Sequence, residues 1–348
     1  MTAMPPPRAT MKDVAALAGV SPKTVSNVVT GTVGVREETK ARVEAAMAEL
    51  DFVPNLSARG LRQGRSGIIA VALPDLATAY SAELVHRILE AAHGRGLAVQ
   101  IEETATEPAR EKELLSRARA HLVDGLILNP VRLEDSVIRY ADRLPPIVVI
   151  GEVEQHRADH VLIDSRQAAA DVTRHVIERG ARRIAVIGAD DRGELATATS
   201  RLRLEGVHVA LSEAGLARDR ALEVNRMPWS MAAGAEGMNE LLARGVAFDA
   251  VVAFTDSMAA GALHTLHGHG IDVPGDVIVT GFDDVEFSQF TSPALTTIAF
   301  DRRALAEAAL GLLLSRIDEP GAPPRSLTLS HQLRERASTA QKPSGYRR

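Results

Sequence analysis

The chain has 348 residues, a formal net charge of −5, no cysteine, and few aromatic side chains: one tryptophan, three tyrosines and seven phenylalanines. This length suits a small head plus a core of two ordinary domains, and the missing cysteine excludes disulfides, thiol catalysis and cysteine metal sites and fits a reducing cytosol. The leader MTAMPPPRAT lacks the apolar centre of a signal peptide, and no apolar stretch approaches the ~20 residues of a membrane helix, so a cytoplasmic protein with no membrane partner is expected.

Residues 10–31, TMKDVAALAGVSPKTVSNVVTG, hold the densest signal. Thr10 with Asp13 forms a capping pair for a first helix over Met11–Ala18, on which Val14 and Leu17 share a face. Gly19 suits a turn that needs positive φ. Ser21 caps a second helix with Pro22 in its first position, where a missing N–H costs nothing. Val25, Val28 and Val29 form the buried side of that helix, and Gly31 stops it. Ala15 and Ala18 are small enough to let the helices approach, as a helix-turn-helix requires. In such a motif the start of the second helix meets base edges. Of its exposed side chains Pro22, Lys23, Ser26 and Asn27, Lys23 suits guanine and Asn27 suits adenine. Ser21, Thr24 and Ser26 have the size for phosphate contacts, and Thr10 joins these as a DNA-binding candidate. The same spacing also fits an ordinary amphipathic helical hairpin with solvated polar residues.

A third helix carries the stripe Val43, Ala46, Met47 and Leu50. Glu37 and Glu38 favour its start, and Phe52 and Pro54 end it. Charge follows the same division: residues 1–66 carry nine Lys/Arg and six Asp/Glu, a surplus of +3, and the rest carries 31 and 39, or −8. A basic head on an acidic body is drawn to phosphates at one end only.

The runs MKDVAALAGVSPKTVSNVVTG and VREETKARVEAAMAELDFVPNLSARGLRQGRS resemble the head and hinge of the lactose-repressor (LacI/GalR) family of bacterial transcription factors. The likeness extends over nearly the whole chain. It implies a regulator, most simply a repressor, that acts as a homodimer on a pseudo-palindromic double-stranded DNA operator, two heads meeting two half-sites.

Residues 54–67 would join head to body. Asn55 is a good N-cap, but LSARGLRQ makes only about two helical turns, far below the ~12–15 residues an isolated helix needs, and Gly60 costs roughly 1 kcal/mol more than alanine. The segment is therefore expected to be frayed without DNA. The resemblance implies that it folds on the operator, pairs with its dimer mate and drives Leu61 into the minor groove, kinking the duplex. Arg59, Arg62 and Arg65 would then meet phosphates. A flexible polar tether is the alternative. Ser57 stands where the family commonly has an apolar residue, and Gly60 where it often has a larger one.

From Gly67 the pattern turns to buried-strand runs separated by helices: IIAVALP (68–74), LAVQIEE (97–103), VDGLILNP (123–130) and PIVVIGE (146–152). The intervening helices include one bearing Leu84, Ile88 and Ala91, one over 108–120, and one after Pro130. The pattern restarts after a helix over 166–178, with RRIAVIGA (182–189), ALEVNRM (221–227), FDAVVAF (248–254), VIVTGFDD (277–284) and LTTIAF (295–300). Helices are expected near 202–214, 231–244, 257–268 and 303–317, and RSLTLSHQLRER (325–336) closes the body. Near-continuous apolar strands alternating with helices argue for parallel sheets covered on both faces. Two such halves predict a clamshell whose ligand lies at the carboxyl ends of the strands.

The body resembles the sugar-binding core of the same family, which shares its fold with periplasmic binding proteins. Landmarks are Pro74-Asp75, Val123-Asp124-Gly125, Arg201 to Gly206, Asp256-Ser257-Met258-Ala259-Ala260-Gly261, Gly281-Phe282-Asp283-Asp284 and Leu295-Thr296-Thr297-Ile298. The implied organisation is an all-α head over 1–54, a hinge over 55–66, and an α/β core of two Rossmann-like subdomains over 67–340. One subdomain takes 67–165 and 296–325, and the other 166–295 and 326–340, with a tail at 341–348 and crossings near 165, 295 and 325.

By position, Arg203 and Asp283 match the family's commonest sugar-hydroxyl ligands; Arg is a rigid fork of donors, and a carboxylate accepts from two adjacent hydroxyls. Trp229 matches an aromatic that stacks on the sugar ring in some members. A lone core or surface tryptophan, a helix-surface ion pair and a loop cap are the ordinary alternatives. Tyr80 replaces a common Phe, Thr255 a common Asn, Gly151-Glu152 a common Asp-Arg, and Phe300 a residue that is often polar. Tyr80, Thr255 and Phe300 complete the ligand candidates, with a carbohydrate as effector.

No P-loop, nucleophile elbow or HExxH helix is present, and Gly188-Ala189-Asp190 lacks the further glycines of a dinucleotide fingerprint. His264, His267 and His269 have metal-like spacing but sit at a helix end where donors suit the terminal carbonyls. No cofactor, metal or catalytic residue is expected. A transport receptor and an α/β enzyme with an appended head remain the readings from other classes. The tail TAQKPSGYRR carries no leucine heptad, so no coiled-coil tetramer is expected.

Overall fold

The computed structural model describes residues 9–30, 33–52, 65–105, 107–130, 136, 138, 143–152, 155–190 and 197–340. The chain divides into two compact units, Met1–Ser66 and Gly67–Arg348. Gly31, the hinge with Asn55, Arg59 and Leu61, most of the helix expected after Pro130, and the tail after residue 340 lie outside the described residues.

The head is three helices: α1 (Met11–Ala18), α2 (Pro22–Thr30) and α3 (Glu37–Glu49). Thr10 and Asp13 cap α1 reciprocally: the threonine backbone N–H and hydroxyl each reach the carboxylate at 2.7 Å, and the Asp13 N–H reaches the hydroxyl at 3.4 Å. Those contacts hold the Asp13 carboxyl below its usual range. Gly19 closes the helix at φ 66° in the left-handed region, where a side chain would be strained. The Ser21 hydroxyl accepts from the Thr24 N–H at 3.1 Å, starting α2. Val14, Ala15, Ala18, Val25, Val43 and Ala46 form the core, with Val28, Val29, Met47 and Leu50 half-buried on it. Leu17 departs from expectation. It is 47% exposed, because the buried stripe of α1 runs through Val14, Ala15 and Ala18 and leaves Leu17 at its edge.

The second unit holds two six-stranded sheets. The first contains β1 (Ile68–Leu73), β2 (Ala98–Glu103), β3 (Gly125–Leu128), β4 (Ile147–Ile150), β5 (Asp159–Ile163) and β11 (Ser326–Leu329), in the order β11-β5-β4-β3-β1-β2, all parallel. The second contains β6 (Ile184–Ile187), β7 (Glu223–Val224), β8 (Ala250–Ala253), β9 (Ile278–Phe282), β10 (Thr296–Phe300) and β12 (His331–Arg334), in the order β12-β10-β9-β8-β6-β7. Only β12 is antiparallel there.

Alternation along each strand explains the layers. Ile69, Val71 and Leu73 of β1 pack on α4 (Ala79–His93) and α10 (Arg302–Asp318), while Ala70 and Ala72 face α5 (Pro108–Arg119) on the other side. In the second sheet Ala185, Ile187, Val251 and Ala253 pack on α8 (Met231–Ala243) and α9 (Asp256–Gly268). Ile184, Val186, Ala250 and Val252 face α6 (Ser165–Glu178) and α7 (Ala198–Glu213). Each fully buried Val, Leu or Ile contributes about 1.5–3 kcal/mol, which is why runs buried on both faces carry no alternation of polarity.

Strand membership redraws the crossings. Thr296–Phe300 pairs with β9, so the chain passes to the first lobe between Phe300 and Arg302 rather than near 295. The segment expected as one piece over 325–336 is two strands in different sheets, so the last crossing falls between Leu329 and His331 rather than near 325. Between residues 221 and 227 only Glu223–Val224 is extended, after a 3-10 turn. β5 was not expected from sequence: Asp159 and His160 break its apolar run. Both are buried: Asp159 accepts from Arg316 at 2.9 and 3.0 Å and from the Arg325 backbone at 2.7 Å, and the His160 ring meets the Gly151 carbonyl at 2.5 Å.

Candidate functional site

A cavity of about 480 Å³ opens between the two sheets of the core. All six ligand candidates, Tyr80, Arg203, Trp229, Thr255, Asp283 and Phe300, line it, and so do Asp75, Glu103, Asn129, Glu152 and Thr199. The cavity sits at the carboxyl ends of the parallel strands, where loops rather than ladder bonds set the chemistry.

Arg203 projects from α7 and is buried. Its guanidinium lies 3.4 Å from the Phe282 ring centroid and 6.0 Å from that of Trp229. Nη1 donates to the Phe254 carbonyl and Nε donates to the Ser165 hydroxyl at 3.3 Å. Nη2 stands 3.9 Å from Asp283 Oδ1, too far for a hydrogen bond. The Trp229 indole donates to Asn225 Oδ1 at 3.3 Å and meets Phe254 edge-on at 6.1 Å. Tyr80 meets Phe300 edge-on at 6.2 Å, which makes an apolar wall beside the polar groups. The Thr255 hydroxyl accepts from the Met258 N–H at 3.1 Å, capping α9 while still facing the cavity.

Asp283 is 5% exposed and sits at φ 113°, with Asp284 at φ 52°. Two non-glycine residues in the left-handed region cost energy, and the surroundings impose them. Arg302 donates to the Asp283 carbonyl and, at 2.5 Å, to that of Asp284. Arg336 reaches Asp284 Oδ1 at 2.6 Å, and the Val285 N–H reaches Asp256 Oδ2 at 2.9 Å. Burial pushes the Asp283 carboxyl up to about 7, against the pull of Arg203 and Arg302 and with a further push from Glu152 and Glu83. Asp256, also buried, is raised well above its usual value by burial and then by Asp283. The Tyr80 hydroxyl is raised by burial, then by Asp283 and Glu152.

Glu152 is the residue that sequence reasoning undervalued. It stands after β4 and accepts from Ser165 at 2.7 Å and from Thr199, in α7, at 2.7 Å. One carboxylate of the first lobe is thus tied to a hydroxyl of the second, with Ser165 at the crossing also serving Arg203. The only sequence signal was that Gly151-Glu152 departs from a common Asp-Arg. Thr199 and Ser165 carried none, since small hydroxyls at helix starts read as caps.

In the head, Pro22 and Lys23 are exposed on the first turn of α2, and Thr24, Ser26 and Asn27 are half-exposed. The Thr10 and Ser21 side chains stand at helix N-termini, with their hydroxyl oxygens serving as caps. Backbone N–H groups at such a start favour an anion such as phosphate.

A capped two-helix reading unit followed by two covered, mainly parallel sheets around a cleft defines a class: a DNA-binding head joined to a periplasmic-binding-protein-like core. Residues 10–55 match the profile of bacterial regulatory proteins of the lacI family, and residues 173–339 match that of a periplasmic binding protein-like domain. The HTH-type transcriptional regulator GalR of Escherichia coli K12 is 30% identical over 334 residues, 95% of this chain and 96% of that protein. The ribose operon repressor of the same strain is 32% identical over 333 residues, 95% and 99% of the two chains. Among solved structures, the lac repressor dimer bound to operator and the anti-inducer ONPF is 29% identical, with a TM-score of 0.80 over 96% of this chain and 99% of that one. The transcriptional regulator CelR in complex with cellobiose is 29% identical, with a TM-score of 0.70 over 95% and 100%. The chain belongs to the lacI family of bacterial regulatory proteins, and it is a DNA-binding transcriptional regulator controlled by a ligand.

Proposed function

We propose that this regulator is a cytoplasmic repressor without enzymatic activity. It acts as a homodimer on a pseudo-palindromic operator, and a carbohydrate bound in the core cleft sets its hold on DNA. The observation that carries the reading is the convergence of Tyr80, Arg203, Trp229, Thr255, Asp283 and Phe300 on one cavity between the lobes. A buried carboxylate and a guanidinium address hydroxyls, and the Trp229 face with the Tyr80–Phe300 wall covers the apolar face of a sugar ring. A ligand held by both lobes changes their angle and thereby the geometry of the two hinges. It does so only by as much as its affinity differs between the two states.

On the DNA side, Lys23 and Asn27 read base edges and Thr10, Ser21, Thr24 and Ser26 position the head on phosphates, with Pro22 setting the start of the reading helix. Asn55, Arg59 and Leu61 belong to the hinge that folds on the operator, Leu61 as the wedge. The deciding experiment uses Trp229 fluorescence, titrated with a panel of mono- and disaccharides and polyols, beside operator retention on the same samples. One sugar should give a saturable change, alter operator binding, and lose both effects in Asp283→Ala. A flat response to every sugar from a folded, DNA-binding dimer would remove carbohydrate as the effector.

A further inference from the structure

The charged groups around the cleft bear on the charge of what enters, and the inference drawn from them rests on the ligand-controlled reading above. Among the described residues lining it stand four carboxylates, Asp75, Glu103, Glu152 and Asp283, one guanidinium, Arg203, and no lysine or histidine. Arg203 is already engaged: Nη1 with the Phe254 carbonyl, Nε with Ser165, and its face with the Phe282 ring. The neighbouring Arg302 is not part of the lining. It donates to the Asp283 and Asp284 carbonyls and pairs with Glu83 at 2.7 Å. The hydroxyl protons of Ser165 and Thr199 point at Glu152, so neither is free to donate to an incoming anion.

Helix N-termini would otherwise welcome negative charge, and those of α4, α7 and α9 open on the cleft. Each is already answered. Thr78, Thr197 and Thr255 accept from the N–H of Ser81, Ser200 and Met258 at 3.2, 2.9 and 3.1 Å. Asp75 and Glu103 accept from the N–H groups of Ala77 and Leu76, just before α4, at 2.8 and 2.9 Å. Asp283 is the exception among the carboxylates. It is 5% exposed, faces the cavity, and takes no hydrogen bond on its carboxylate from any described residue. Its open position is for a donor.

We infer that the cleft takes an uncharged, hydroxyl-rich ligand and shuts out anions, so that the effector is neither a sugar phosphate nor a sugar acid. Discrimination comes from repulsion as much as attraction: an anionic group entering would meet Glu152 and, once ionised, Asp283, with no unengaged cation among the described lining residues to answer them.

The single tryptophan makes the charge of the cleft measurable without knowing the ligand. Collisional quenching of Trp229 in the full-length protein is measured with caesium, iodide and acrylamide at constant ionic strength, each normalised to free N-acetyltryptophanamide. The normalised caesium-to-iodide ratio should exceed one in the unchanged protein. It should fall about twofold or more in Glu152→Gln, because removing one nearby charge lowers caesium and raises iodide at the indole, each by an amount that salt screening reduces. A ratio at or below one in the unchanged protein overturns the inference whether or not the variant folds. A ratio that Glu152→Gln and Asp283→Asn both leave unmoved also overturns it, since the selectivity would then belong to the surface at large. Saturable binding of glucose 6-phosphate or gluconate, read by Trp229, overturns it while leaving ligand control intact. A caesium preference with no response to any neutral sugar supports the charge inference and removes the carbohydrate reading instead.

Discussion

At the scale of single residues, Asp283 links burial to function. Its carboxyl titrates near 7 in the fold and near 3.8 free, because burial outweighs the two neighbouring guanidinium groups. Between those values the folded state holds the extra proton, so this group's contribution to stability falls as pH rises from about 4 to about 7 and then levels. In the proposed carbohydrate reading, effector binding runs the other way, because sugar hydroxyls would donate to the ionised form. Affinity should therefore rise up to tenfold per pH unit on approaching pH 7 and flatten above it. Asp283→Asn should bind weakly and without that slope, and a wild-type titration curve flat from pH 5.5 to 8 would show that the ligand does not meet this carboxylate. Thr280, in the middle of β9, makes the opposite kind of prediction. Its hydroxyl is fully buried with no hydrogen-bond partner among the described residues. Thr280→Val keeps the shape and removes the orphan, and should raise the denaturation free energy by about 1 kcal/mol.

At the scale of elements, α8 and α9 cross so closely that a Cβ on Gly261 would sit 2.0 Å from the Met231 carbonyl oxygen. Backbone cannot yield as a side-chain tip can, so Gly261→Ala must push the helices apart, at a cost of about 3 kcal/mol by chemical denaturation. Met231 opens α8 two residues after Trp229, and the same substitution should shift the tryptophan emission and weaken effector binding. A variant with unchanged melting and emission would show that the two helices have slack. In the head, α2 presents Lys23 and Asn27 one turn apart. Asn27→Ala should relax the preference at one operator position, by about 1–3 kcal/mol against the wrong base. Lys23→Ala should weaken binding, and a loss equal across all sequences would reassign Lys23 to phosphate. Helix caps and stripes in the head were legible because they are local: Thr10–Asp13, Gly19 and Ser21 act within four residues. Leu17 was misjudged because an eight-residue helix buries barely one stripe, and only the third helix decides which.

At the scale of the whole molecule, three crossings tie the lobes, and polar links among the described residues span them, including those from Arg302 to the Asp283 and Asp284 carbonyls. Glu152 reaches Thr199, and Glu83 accepts from the Glu286 N–H at 2.7 Å while pairing with Arg302. These are contacts that a change in lobe angle must break or remake. The proposed operator, two half-sites for two heads, calls for a dimer, and the sequence TAQKPSGYRR carries no leucine heptad for more. Sedimentation at micromolar concentration should give the mass of two chains, and a mass of four would refute the absence of a further assembly surface.

Much was settled by the amino-acid order itself. Apolar runs buried on both faces dictate parallel sheets under helices, local caps dictate the reading head, and the family resemblance, position by position, named Arg203, Trp229 and Asp283 as candidates although 80 residues separate the first from the last. The strand partners of 159–163, 296–300 and 326–334 were decided only by tertiary structure. A polar start such as Asp159 is tolerable in a strand only where Arg316 and Arg325 arrive from more than 150 positions away. Glu152 likewise gained meaning only in three dimensions. Whether a carboxylate is a solvated surface charge or part of a ligand's wall depends on what faces it across a cleft, and no local pattern records that.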